Sequence, residues 1–426
     1  MSLVILGVFL VLMFLGIPVA ISLGMASLGA IMVYGVSTVA SAVKLMYSSM
    51  NSFTMVAVPL FFLAGVLMDK GGVAEQIFAF CEDVVGWIHG GLGHVNILTS
   101  ILFAGMSGSS VADVASIGAL CANAMIRSGY PAPYAWGTTL ASSMLASVIP
   151  PSILMVVAAS VAQISMGQAL FAGVIPGVIL GVVMMVYNYF YCKKHGIGHR
   201  IPFSGGRLRK SFKKALPALM VPIILLGGMY TGYFTSTEAA AICVLYTLLV
   251  SMFIYKKLTF KDLPGIFMSV AKSTGTVLFV AITAKPAGQL FTLDGFPAQV
   301  ASAITGLSQN ATVVMALIFL LLCVIGMFMD ATAAIYIFVP ILLPTAVSVG
   351  VSPLFFVVFM VIALSFGLIT PPVGVCLYAA CNVSGMSMEK ISKGLIPWLI
   401  VLVLCLFVFI LFPNLITYPI SLLFPA

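Results

Sequence analysis

Charge is scarce in this sequence. Of its 426 residues only 7% are Asp, Glu, Lys or Arg, against roughly 25% in soluble globular domains, and that shortage excludes a soluble globule. The apolar runs also lack the alternation that marks a barrel strand. Among the eight cysteines, at positions 81, 121, 192, 243, 323, 376, 381 and 405, there is no CxxC pair. They lie mostly inside apolar runs and read as reduced packing residues. What is abundant is hydrophobicity, 62% of the residues with a mean hydropathy of +1.24, in runs longer than the roughly 20 residues a helix needs to cross a bilayer. The expected fold class is an all-α polytopic membrane protein.

The net charge of +8 does not indicate nucleic acid, because of where the charge sits. Lys193, Lys194, Arg200, Arg207, Arg209, Lys210, Lys213 and Lys214 crowd one connection, residues 193–214, joined by His195 and His199. Such clustering places a loop on the cytoplasmic side. His195 and His199 imitate a metal pair, yet only Cys192 stands near them at ligand spacing, so no metal site is expected. The first apolar run, residues 3–33, lacks a basic leader and a small-residue cleavage site and is expected to be one retained helix.

Two stretches break the apolar pattern. Gly105-Met106-Ser107-Gly108-Ser109-Ser110-Val111-Ala112-Asp113 puts glycines, hydroxyls and a carboxylate inside the run 94–125. In hydrocarbon, backbone outside the helical ladder persists only where protein covers it or a cavity meets it. The stretch therefore reads as the tip of a re-entrant hairpin, about 94–127; the alternative is a Gly/Ser packing seam between helices. A shift of 221 residues brings Gly105-Met106 onto Gly326-Met327 and Pro150-Pro151 onto Pro371-Pro372 without a gap. Two repeats follow, residues 1–192 and 215–426, the second with a hairpin about 311–347. Each hairpin precedes a run split by Pro-Pro, about 134–163 and 353–381. Consecutive prolines remove donors and free carbonyls, either met by Ser147 or Ser152 or offered to an ion. Paired interrupted segments in two halves point to a transporter's binding site.

Other segments are expected as follows. A polar connection around Lys44 leads to a helix at about 53–68. Residues 73–88, with Glu75, Glu82 and Asp83, suit an interfacial helix. Lys285, before Pro286, is read either as an anion contact, as a partner for an acid such as Asp330, or as a snorkelling lysine at a helix end. An unpaired Asp330 would be costly, so a cation, a base or the N-terminus of its own half-helix should meet it.

Gly105 to Asp113, Phe234-Thr235-Ser236-Thr237-Glu238-Ala239-Ala240 and Leu368-Ile369-Thr370-Pro371-Pro372-Val373-Gly374 together resemble the signatures of the large, DctM-like membrane subunit of TRAP transporters, the tripartite ATP-independent periplasmic carriers, over essentially the whole chain. Ser236 departs from a commoner proline. The resemblance implies a bacterial inner-membrane protein with inverted repeats and elevator-type movement, similar to the ion transporter superfamily. It implies import of a carboxylate substrate such as sialic acid or a C4-dicarboxylate, driven by about two sodium ions and no organic cofactor. The implied partners are a small four-helix membrane subunit and a periplasmic substrate-binding protein. Carried over, one sodium site would join Ser107 and Ser109 to Ser147 and Pro150, and a second would join Gly326 to Gly367, Thr370 and Val373. Substrate would lie near Ser110, Asp113 and Asp330. Lys285, in an otherwise apolar run, departs from the family pattern and is expected to bear on the choice of substrate.

Competing expectations are a binding-protein-independent sodium/carboxylate symporter or a sodium/proton antiporter of related architecture. An enzyme is not expected, since the four histidines lie at polar edges away from the hydroxyl-rich tips. A passive channel would need a continuous polar line along a helix face, which is missing.

Overall fold

The computed structural model describes residues 1–51, 53–198 and 201–423, and among the described residues there is no strand. Among the described residues seven helices are long and apolar enough to cross a membrane: Met166–His195, Gly205–Tyr230, Ser236–Ile254, Leu263–Leu293, Ala311–Phe328, Ala331–Ser348 and Met388–Leu411. The helices Ala57–Lys70 and Val73–Val85, inclined at 68°, make an eighth span if they cross together. Gly72 turns the chain between them with a φ of +75°, a left-handed conformation that glycine adopts without steric cost.

Several elements differ from the expectation. The first apolar run is two helices, Ser2–Phe14 and Val19–Tyr34, because Gly16 at φ +85° and Pro18 divide it. The connection around Lys44 is itself a helix, Val39–Met50, capped where the Thr38 hydroxyl accepts from the Ser41 amide at 3.1 Å. Most of the basic cluster is helical, on the last turn of Met166–His195 and the first turns of Gly205–Tyr230, as the good helix propensity of Lys and Arg allows. Arg207 pairs there with Asp83 at 3.6 Å. His199 and Arg200 lie outside the described residues. At the corner before Ser236–Ile254, Thr235 and Glu238 form a capping box, the Thr235 amide and hydroxyl both donating to the Glu238 carboxylate at 2.8 Å. Leu263–Leu293 runs on through Pro286, so this proline does not end the helix. One missing donor is tolerated in a membrane helix whose neighbours cover the freed carbonyl.

The offset of 221 residues carries into the structure. Gly91–Ser107 matches Ala311–Phe328 in order and length, and the segment from Ser110 to Arg127 matches Ala331–Ser348. Ala132–Ser143 with the short turn Met144–Ser147 matches Pro353–Ile369, and Ile153–Ala162 matches Val375–Ser384. Both Pro150-Pro151 and Pro371-Pro372 are cis. The incoming halves of the two split helices form the centre of the molecule: Phe355 to Ile369 are all buried, as are Tyr134 to Ser143. A helix apolar on every side belongs inside, and these two put their broken ends against the hairpin tips.

Candidate functional site

The first hairpin turns at Gly108 and Ser109. Its incoming helix continues through Gly105 and Met106 to Ser107, so the break begins later than the glycine at 105 suggests. Gly105 serves close packing instead: a Cβ there would stand 3.3 Å from Pro222 Cβ and 3.5 Å from the Pro150 carbonyl oxygen. Gly108 is the turning residue, at φ +60°, and the Pro151 carbonyl oxygen occupies the place of a Cβ. Ser109 caps the outgoing arm, its hydroxyl accepting from the Ala112 amide at 3.4 Å. Opposite, the Ile153 amide donates to the Gly108 carbonyl at 3.4 Å, which ties the tip to the first split helix. Ser152 donates to the freed Ser147 carbonyl.

The second tip repeats the plan with other side chains. Gly326 is helical, and the turn falls at Met329 and Asp330. Asp330 Oδ1 accepts from the Thr332 amide at 2.8 Å, so the N-terminus of its own half-helix meets the carboxylate. The Gly374 amide donates to the Met327 carbonyl at 3.2 Å. A Cβ on Gly367 would lie 2.6 Å from Gly326 Cα and 2.8 Å from its carbonyl carbon, which only glycine permits. The Thr370 hydroxyl bonds back to the Phe366 carbonyl at 2.7 Å.

Both tips open on one cavity of about 600 Å³. Ser107, Ser109, Ser110 and Ser147 line it from the first half, and Asp330 and Thr332 from the second; Ser269, Ser273 and Thr276 of Leu263–Leu293 face them. Ser110 and Ser147 share a hydrogen bond of 2.6 Å. The buried Ser107 hydroxyl has no protein partner, an orphan position that an ion can fill. No lysine or arginine lines the cavity. Half-helix N-termini at Ser110 and Ala331 reach it, and such ends attract anions. Among the described residues no group of three or more His, Cys, Asp or Glu could hold a metal; the polar side chains that line the cavity are serine and threonine hydroxyls and the Asp69 and Asp330 carboxylates, all hard oxygen donors.

A family model for the tripartite ATP-independent periplasmic transporter, DctM component, matches residues 6–415. The chain belongs to the DctM family. This DctM component is 35% identical over 95% of its length to the sialic acid TRAP transporter large permease protein SiaM of Vibrio cholerae, of which it covers 94%. It is 34% identical to the C4-dicarboxylate TRAP transporter large permease protein DctM of Pseudomonas aeruginosa, over 91% of each chain. The crystal structure of the YdaH transporter of Alcanivorax borkumensis covers 86% of each chain with a TM-score of 0.58 at 15% identity, a likeness of fold. This DctM component is thus a multi-pass membrane permease of a bacterial TRAP system and not an enzyme. His94, which the sequence placed at a polar edge, is buried, yet thirteen residues of helix, about 20 Å, separate it from Ser107.

In this DctM component Ser107, Ser109, Ser110, Ser147 and Asp330 come together as the sequence suggested, and so do Gly326, Gly367 and Thr370 at the second break. Pro150 stands behind the first tip, its carbonyl towards Gly105, and Val373 is exposed. Two residues lie elsewhere. Asp113 is fully buried and turned to the incoming arm, where the Ser100 hydroxyl donates to Oδ2 at 3.1 Å. Lys285 is exposed and lines a separate cavity. Sequence reading missed the network behind Asp113: Ser100 and Ser142 are 3.0 Å apart, Ser142 donates to Asn96 Oδ1 at 3.3 Å, and Asn96 donates to Thr139 at 2.8 Å. Its signal was present, since Asn96 and Ser100 at i, i+4 and Thr139 and Ser142 at i, i+3 each share a helix face.

Proposed function

We propose that this DctM component imports a small organic acid together with sodium, receiving it from a periplasmic substrate-binding protein and working with a small four-helix membrane subunit. The observation that carries the reading is the tip cavity: hydroxyls and half-helix N-termini converge there with the Asp330 carboxylate and no fixed base. A carboxylate entering beside Asp330 is repelled unless a cation accompanies it, so substrate and sodium occupy the site as a pair. One sodium is assigned to the first break (Ser107, Ser109, Ser147 and Pro150) and one to the second (Gly326, Gly367, Thr370 and Val373, largely through backbone carbonyls). The acid lies between the tips, near Ser110 and Asp330. Asp113 acts from behind, by positioning the first tip.

Coupling follows from linkage. A ligand shifts a conformational equilibrium only by its differential affinity for the two states, so sodium drives uptake if the hairpins and split helices move past the remaining helices, as an elevator of two inverted repeats, only when acid and ions are both bound. Each sodium crossing a potential of about 100 mV supplies about 2.3 kcal/mol before any concentration term.

The test is uptake of labelled organic acids into proteoliposomes holding this chain and its small subunit, with and without binding protein and an inward sodium gradient. Uptake that requires both, and that weakens its sodium dependence in Ser109→Ala and Thr370→Ala, is expected. Uptake with sodium alone would replace the tripartite reading with a binding-protein-independent symporter, and proton release driven by sodium without any acid would replace it with an antiporter.

A further inference from the structure

A second polar cavity, of about 540 Å³, is walled by three of the helices that wall the tip cavity. On Leu263–Leu293 the tip cavity takes Ser273 and the second cavity takes Lys285, twelve residues or about 18 Å further along. On Ala331–Ser348 the pair is Thr332 and Pro340, and on Ile153–Ala162 it is Leu154 and Val161, steps of about 12 and 10 Å. All three helices lead away from the tips in the same direction. Leu263–Leu293 starts beside Lys256, Lys257 and Lys261, so the second cavity stands on the side of the tips opposite that basic end. The two cavities are successive levels of one path.

Their electrostatics differ in sign. Asp69 and Asp330 line the tip cavity without a base. Lys285 lines the second cavity among Ser48, Ser49, Gln289 and Thr292, with no acid in its wall. Among the described residues no carboxylate stands within ion-pair distance of Lys285; Asp294, near the end of the same helix, is engaged by the Met1 ammonium at 3.3 Å and the Ser2 amide at 2.8 Å. An exposed, unpaired ammonium in a polar hollow raises the local concentration of anions.

We infer that the Lys285 cavity is the receiving compartment for the acid on the side opposite the basic loops: the carboxylate meets the Lys285 ammonium there before it passes to the hydroxyls and helix ends of the tip cavity. The inference rests on the organic-acid reading above and makes Lys285 a specificity residue for one face only. Transport from that face requires the anion to pass a cation; transport from the basic face does not.

Two measurements test it. In oriented proteoliposomes, Lys285→Gln raises KM for acid presented on the binding-protein face about tenfold relative to KM from the basic face, as expected for loss of a charged hydrogen-bond donor, and Lys285→Arg restores the ratio. Equal KM changes at both faces, or none, overturn the assignment, whereas failure of the unaltered protein to take up any acid overturns the transport reading instead. Independently of transport, a Lys285→Cys variant reacts with a membrane-impermeant thiol reagent added on the binding-protein face and not on the basic face. Reaction from the basic face, or from neither, refutes a compartment open on the opposite side.

Discussion

The two breaks share a backbone and differ in everything that hangs from it. In both, an incoming helix carries a tightly packed glycine, the outgoing arm is capped by a side-chain oxygen at equivalent positions (Ser109 and Asp330), and the amide of an equivalent residue (153 and 374) donates to a tip carbonyl. The first break is then cross-linked by side chains: Asn96 to Thr139, Ser100 to Asp113 and Ser142, Ser110 to Ser147. The positions equivalent to Asn96, Ser100, Asp113, Thr139 and Ser142 are Leu317, Leu321, Ala334, Met360 and Ala363. Hydroxyls of the second break bond to their own helix instead, Ser365 to the Val361 carbonyl at 2.7 Å and Thr370 to Phe366. Its two elements are held by the close approach of Gly326 to Gly367, where the first half has Ala146 in place of the second glycine. Chain geometry can be repeated by glycine and proline alone, while each half satisfies its polar groups with its own chemistry.

The largest effect expected from that difference is at the paired glycines. Gly326→Ala drives a Cβ to 2.9 Å from Gly367 Cα, a backbone atom that cannot swing aside. It should cost about 1–3 kcal/mol, as overpacked cores do, and reduce uptake at least about tenfold by shifting the backbone of the proposed second ion site. Gly105→Ala comes no nearer than 3.3 Å to Pro222 Cβ and 3.5 Å to the Pro150 carbonyl oxygen and gains helix propensity, so its stability should change by less than about 1 kcal/mol. Thermal unfolding in detergent and initial uptake rates decide between them. Equal damage at both positions would mean that the halves are held alike.

A smaller effect separates the hydroxyls. Ser142→Ala removes a donor from Asn96 Oδ1 and a partner from Ser100 among buried residues, and should destabilise by about 1–3 kcal/mol. Ser365→Ala breaks a bond within one helix whose carbonyl keeps its backbone partner, and should cost less than about 1 kcal/mol. The contrast fails if unfolding temperatures fall equally, because the cross-linked network would then be no stronger than a local bond.

Much of this was legible because the features that shape backbone are residue types. Gly108, Pro150-Pro151 and Pro371-Pro372 each mark a break, and the offset of 221 residues between the two Pro-Pro pairs returns in the matching order of the helices around them. The tip stretches contain the turns at Gly108 and Ser109 and at Met329 and Asp330 but begin early, at Gly105 and Gly326, because these look like turn residues whereas each is a contact residue, and contact belongs to tertiary structure. Asp113 was grouped with Ser110 by nearness in sequence, although its carboxylate is held by Ser100 of the incoming arm and does not line the cavity, a contact between separate helices. Lys285 and Asp330 could be named but not located relative to each other, since no local pattern fixes the distance between separate helices. The helical basic cluster was hidden for a different reason: charge marks a side of the membrane and says little about secondary structure.

The narrowest test concerns Ser107, whose equivalent is Phe328. Its hydroxyl is buried and lacks a protein partner, so Ser107→Ala removes no hydrogen bond that holds the fold. If the oxygen is a sodium ligand, the variant should unfold at the same temperature without sodium while needing several-fold more sodium for half-maximal uptake, and it should lose part of the stabilisation that sodium gives the unaltered protein. Phe328→Ser at the second tip adds a hydroxyl where backbone carbonyls are the proposed ligands, and should leave sodium affinity nearly unchanged. A response to sodium that shifts equally in both variants would show that the hydroxyls of the first break and the carbonyls of the second do not divide the ions between them.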